Sequence, residues 1–136
     1  MKVSAKAEYA CLAVIALASR RAEEPPARIR EIAARHGIPE RYLVQILLQL
    51  KGAGLVNSTR GAAGGYRLAR PAGEMTLGEV LGAIDGPNEP SRTVNGSAAR
   101  VLATVWERVR AAEREVLDHT SIAQLAEGAS PREWVI

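Results

Sequence analysis

Three polar side chains recur every fourth residue in the segment PERYLVQILLQLK: Arg41, Gln45 and Gln49. Arginine forms paired hydrogen bonds to guanine, and glutamine does so to adenine. On one helix face they are equipped to read base edges. Taken alone, they fit an ordinary solvated helix face at least as well. The next segment, LVNSTRGAAGGYRLAR, changes the balance. A purely structural hairpin is closed by a single Asn-Gly or Asp-Gly turn. Here the tip reads RGAAGG, longer and basic. Arg60 in it can reach a phosphate or a narrow minor groove, whose potential attracts arginine. Gly61, Gly64 and Gly65 allow positive φ and close backbone approach. The alternative is a loose loop that happens to carry an arginine. Helix and tip together point to double-stranded DNA.

Other reactive side chains are few. Cys11 is the only cysteine, so no internal disulfide is available. It reads as a buried small apolar side chain, with a redox or persulfide sensor as the competing role. His36 and His119 lie in different regions, and neither has a cysteine or carboxylate at metal-ligand spacing. No metal site is expected. No nucleophile motif, HExxH, Walker loop or GxGxxG occurs, so no catalytic residue is expected and the chain is not read as an enzyme.

The elements that must position these residues follow from periodicity. Ser4 can cap a first helix running to about residue 19, with Tyr9, Leu12, Ala13, Ala16 and Leu17 at helical spacing. Pro25-Pro26 breaks the chain. A short helix follows, with Ile29, Ile32 and Ala33 on one face and Gly37 at its end. Pro39 opens the next helix. Its Leu43, Ile46, Leu47 and Leu50 form one buried stripe, with Arg41, Gln45 and Gln49 opposite and Tyr42 at the edge. Two helices joined through His36-Gly37-Ile38 make a helix-turn-helix. Strands at 55–59 and 65–69 add the wing. After a turn at 71–74, Thr76-x-x-Glu79 spells a capping box for a helix carrying Leu77, Val80, Leu81 and Ile84.

A polar, Pro-containing loop leads to the longest helix, about 97–118. Ala98, Leu102, Val105, Val109, Ala112 and Val116 fall alternately four and three apart, an a/d-type seam. Val101, Trp106 and Leu117 widen it. A short helix near 121–127 and a tail ending PREWVI close the chain. The fold class is mainly α: a winged helix-turn-helix domain at 1–86 with a two-stranded wing, then a loop, a long dimerisation helix and a tail at 87–136. Dimer contacts are assigned to Leu102, Val105, Trp106, Val109 and Val116.

Phe is absent, so Ala, Val, Ile and Leu must build the core, which suits helices. The net charge of +3 and pI near 9.4 weakly favour a nucleic-acid partner. The apolar run near the N-terminus is short, Ala-rich and interrupted by Lys6 and Glu8, which argues against a signal peptide. No stretch approaches the ~20 apolar residues of a membrane span. A cytoplasmic protein without membrane contact is expected.

GIPERYLVQILLQLKGAGLVNSTRGAAGGYRLAR resembles the core of the Rrf-two family of bacterial winged helix-turn-helix transcriptional regulators. MKVSAKAEYACLAVIAL resembles that family's first helix, and TLGEVLGAIDGP the helix after the wing. WERVRAAEREVLDHTSIAQLAEG resembles its long dimerisation helix and the segment behind it. The resemblance covers nearly the whole chain. It implies a homodimeric regulator in which Tyr42, Gln45, Arg60, Gly64 and Gly65 belong to the DNA-contacting helix and wing, with Lys6 at a phosphate.

Two departures stand out. Glu8 occupies a place where the family usually has an arginine. Val44 replaces the usual acidic residue before Gln45, so base preference is expected to differ. Cluster-bearing members place three cysteines between the helix after the wing and the long helix, whereas DGPNEPSRTVNGSAARV has none. The cysteine-free loop, its Pro90 and Trp134 near the terminus resemble the branch of the cysteine-metabolism repressor. That branch implies a repressor on a palindromic operator, controlling sulfur or cysteine metabolism or a redox response. It also implies no cofactor and a cysteine-biosynthetic enzyme as partner. The alternative is a dimeric adaptor that docks on a metabolic enzyme without binding DNA.

Overall fold

The computed structural model describes residues 2–86 and 95–129. The loop expected around Pro90 and the tail containing Trp134 lie outside them. Six helices, one 3-10 turn and a two-stranded antiparallel sheet make up the described chain. No described helix is long and apolar enough to cross a membrane.

Helix α1 (Ala5–Ala18) begins where Ser4 Oγ accepts the Ala7 N–H at 3.0 Å. The same hydroxyl donates to Asp85 at 2.9 Å, tying the start of α1 to the end of α4 (Leu77–Asp85). Helix α2 (Ile29–His36) ends at Gly37 with φ 64°, and the N–H groups of Gly37 and Ile38 both reach the Ala33 carbonyl. An L side chain would be strained there. This left-handed residue turns the chain into α3 (Glu40–Gly52), with Pro39 at the N-cap. The stripe Leu43, Ile46, Leu47 and Leu50 is fully buried, as its spacing predicts. It meets Val14 and Leu17 of α1, Ile32 of α2, Val80 of α4 and Val56 in one core.

Strands β1 (Val56–Thr59) and β2 (Gly65–Leu68) pair antiparallel in the register Val56 to Leu68 and Thr59 to Gly65. A 3-10 turn at Ala72–Glu74 leads into α4, whose capping box is complete. Glu79 N–H donates to Thr76 Oγ1, and Thr76 N–H donates to Glu79 Oε1, both at 3.2 Å. Glu79 also pairs with Arg70.

Helix α5 (Ser97–Asp118) buries none of its residues. Val101, Leu102, Val105, Trp106, Val109 and Val116 are all exposed, Val101 by 68% and Val116 by 63%. Leu117 departs from the expected seam. It is half-buried and turns toward α4, where a Cβ on Gly78 would lie 3.4 Å from it and 2.6 Å from Asp118 Oδ1. The missing side chain at Gly78 lets the end of α5 lie against α4. The chain then returns to the core. Leu77 N–H donates to the Thr120 carbonyl at 2.9 Å, and Ile122 N–H to the Met75 carbonyl at 2.8 Å. Ile122 at the start of α6 (Ile122–Ala129) is fully buried in the same core as α3.

Candidate nucleic-acid interface

At about 100° per residue, the side chains around α3 away from the core run in the order Glu40, Lys51, Val44, Leu48, Arg41, Gln45, Gln49, Tyr42. Arg41 and Gln45 are exposed, and Gln49 is half-buried. Tyr42 is also exposed and meets Tyr9 of α1 edge-to-face, with ring centroids 6.1 Å apart. That contact holds one flank of the helix while about half of Tyr42 stays exposed. Lys51, at the opposite flank, donates from Nζ to Ser58 Oγ of β1 at 2.7 Å, joining the end of α3 to the wing.

A cleft of about 460 Å³ opens where α2, α3 and the wing meet. Arg28, Lys51 and Arg60 line it together with Ser58, Thr59 and Tyr66, and no carboxylate is among the lining residues. Three cations from three elements converge on one concave surface, which favours a phosphate-bearing ligand. Sequence reasoning points to Arg60 here but misses Arg28 and Lys51. Only the tertiary fold brings position 28 beside position 60.

The wing tip is more constrained than a loose loop. Gly61 has φ 105°, and its carbonyl accepts the Gly64 N–H at 2.9 Å. The sequence suggests DNA approach for Gly64 and Gly65, yet both face their own chain. Gly64 is buried, and a Cβ there would sit 2.1 Å from the Thr59 carbonyl oxygen. A Cβ on Gly65 would sit 2.5 Å from the Ala27 carbonyl oxygen. That closeness exists because Ala27 pairs with Tyr66 through two backbone hydrogen bonds, 3.0 and 2.7 Å. Arg67 adds donors to the Arg21 and Glu24 carbonyls. The charged Pro loop after α1 is therefore clipped to β2, and Arg60 projects exposed from a braced hairpin.

Lys6 is half-buried on α1, with Glu8 exposed nearby. Cys11 is half-buried, and its thiol is pushed up to about 11, chiefly by burial, then by the charges of Glu8 and Asp85. A thiol so protonated at neutral pH is a poor nucleophile, which weakens the sensor role. His36 Nε2 is buried without a hydrogen-bond partner among the described residues. Burial, and then the charge of Arg35, lowers its pKa and favours the neutral ring. His119 Nδ1 instead lies 2.8 Å from the Glu115 carbonyl.

The sequence and the fold are both shared with known transcriptional regulators. The Rrf2 family model, described as an iron-dependent transcriptional regulator, matches residues 3–128. An HTH-type transcriptional regulator of Mycobacterium tuberculosis is 41% identical over 137 aligned positions, covering 96% of this chain and 84% of that protein. CymR of Bacillus subtilis is 38% identical, covering 93% of this chain and 90% of its own. The solved structure of CymR, described as the global cysteine regulator of that organism, superposes with a TM-score of 0.85 at 34% identity, covering 96% of this chain and 99% of that one. The structure of IscR from T. potens gives 0.80 at 37% identity, covering 96% and 89%. The iron in the family description finds no matching donor set here. Cluster irons take several thiolates, the whole chain has one cysteine, and no three His, Cys, Asp or Glu residues gather at metal-binding distance among the described residues.

Proposed function

The chain belongs to the Rrf2 family of DNA-binding winged-helix transcriptional regulators, and on that premise we propose that it acts as a homodimeric repressor on a palindromic operator. The observation that carries the DNA-reading surface is the cleft joining Lys51 of α3, Arg28 and the wing's Arg60, cationic and without a carboxylate. Arg41, Gln45 and Gln49 meet base edges in the major groove, with Tyr42 and Lys6 as backbone contacts. Arg60 enters the flanking minor groove. Gly64 and Gly65 serve this indirectly, by setting the shape that presents Arg60.

Dimerisation rests on Leu102, Val105, Trp106, Val109 and Val116, an apolar stripe that this chain alone leaves in water. A soluble monomer rarely exposes so continuous a patch. In this reading residues 1–86 read DNA and residues 87–136 dimerise, with α6 tying the two parts together. A two-fold dimer places its α3 helices in successive major grooves, about 34–36 Å apart, hence the palindrome.

Likeness to CymR, described as a global cysteine regulator, supports control of sulfur or cysteine genes. A cysteine-biosynthetic enzyme as partner is part of the same proposal and rests on the family resemblance of the sequence. The competing reading, an adaptor that docks on such an enzyme without touching DNA, uses the same α5 stripe but leaves the cationic cleft without a task. Fluorescence anisotropy with fragments upstream of sulfur-assimilation genes, titrated over salt, separates them. The regulator binds one fragment with an affinity that falls steeply with salt. Equal and weak binding to every fragment defeats this reading.

A further inference from the structure

Two large apolar side chains stand exposed on the DNA-facing side of α3: Val44 at 41% and Leu48 at 56%. They are one helical turn apart and form a contiguous step. The core already has its own stripe on the other side of this helix, so neither residue is needed to hold α3 in place. Arg41 and Gln45 border the step on one side, Lys51 and, at the helix start, Glu40 on the other, and the Arg60 cleft opens beyond Lys51, leaving the rim cationic on balance. A second copy of the same face would bring like charges together, which opposes self-association. A polyanion with apolar groups on its surface matches both the charged rim and the apolar centre. Duplex DNA is such a polyanion. Within its major groove the thymine C5-methyl is the apolar feature by which a side chain distinguishes bases.

We propose that Val44 and Leu48 read thymine methyl groups beside the base pairs contacted by Arg41 and Gln45, making the operator half-site thymine-dependent. The inference rests on the DNA-binding reading above and adds the base that its apolar residues select.

The test starts from the full-length protein and a duplex enriched by in-vitro selection from random sequence. Each thymine in one half-site is replaced in turn by deoxyuridine, which removes the methyl and nothing else. One or two positions should weaken binding about fourfold each, the value of one buried carbon. Val44→Ala and Leu48→Ala should each erase the penalty at one position, while Arg60→Ala should keep every penalty and only lower affinity. Circular dichroism and sedimentation of the two alanine variants should match wild type. A protein that binds the selected duplex yet tolerates every deoxyuridine overturns this inference and leaves the regulator reading intact. So does an altered oligomeric state in Leu48→Ala, which would mark a protein contact instead. Failure to enrich any duplex overturns both readings.

Discussion

Helices α3 and α5 carry the same kind of apolar stripe and end in opposite situations. Leu43, Ile46, Leu47 and Leu50 are wholly buried, whereas Leu102, Val105, Trp106 and Val109 are exposed. Periodicity shows that a helix has something to cover and is silent on what covers it. The first stripe finds α1, α2 and α4 within its own chain. The second finds nothing among the described residues, and we propose it as half of the dimer interface. A helix that is folded against its own core can offer its other face to a ligand. A helix with no such core must borrow one.

Charging the uncovered stripe tests this contrast most severely. Leu102→Asp with Val109→Asp should abolish the dimer and leave monomers or aggregates. Each aliphatic side chain withdrawn from water contributes about 1.5–3 kcal/mol, and the pair of changes acts in both protomers. Analytical ultracentrifugation at micromolar concentration measures it; a wild-type monomer under those conditions would remove the basis of the contrast.

Next in size is a truncation in the covered stripe. Leu47→Ala should cost about 2–5 kcal/mol of stability, read from urea unfolding, because the residue is fully buried in a core built from five helices and β1. A cost under about 1 kcal/mol would mean that α3 is held by something other than its stripe.

Smaller still is Arg60→Ala, which concerns only the outward side. Sedimentation and unfolding should be unchanged, while the slope of log affinity against log salt falls by about 1 for each phosphate no longer neutralised. Identical binding at every salt concentration would reduce the wing to a loop.

The smallest effect belongs to Cys11. A thiol raised from 9.0 to about 11 favours the protonated, folded form. Its contribution is complete below about pH 9 and is lost as pH rises toward 11. Cys11→Ser should therefore flatten the fall in stability across that window and leave DNA binding at pH 7.5 untouched. Rapid alkylation of the wild-type thiol at neutral pH would restore the sensor role.

Much of this was legible in one dimension. Local signals fix local structure: Ser4, Gly37, Pro39 and the Thr76–Glu79 box sit where their side chains or missing hydrogens place helix ends. The bounds of α5 and its stripe follow from spacing alone. What stayed hidden depends on partners distant in sequence. Gly65 reads as turn flexibility until Ala27 is seen against it. Arg28 and Lys51 look like solvated charges until the fold gathers them round Arg60. Leu117 fits the α5 seam by type, yet it faces α4 because Gly78 leaves room. Val44 and Leu48 fall outside the stripe that spacing buries, but in the apolar run LVQILLQL they carry no signal of a task until the fold shows them bare.

The two hydrogen bonds that flank Thr120 and Ile122 have a mechanical meaning. They pin the C-terminal end of α5 to the segment just before α4, and Ile122 anchors the pin in the body that also holds α3. At 1.5 Å per residue, a helix of 22 residues is roughly 33 Å long. In the proposed dimer it is a lever fastened at one end to the part that grips DNA and clasping its twin along the rest. A tilt of about 10° at the pin sweeps the far end by roughly 6 Å, given that length. In a pair of such levers, the jaws open or close by a comparable amount, against a groove repeat that does not change. In that proposed dimer, register with the double helix is set by an angle at one small joint, far from any base.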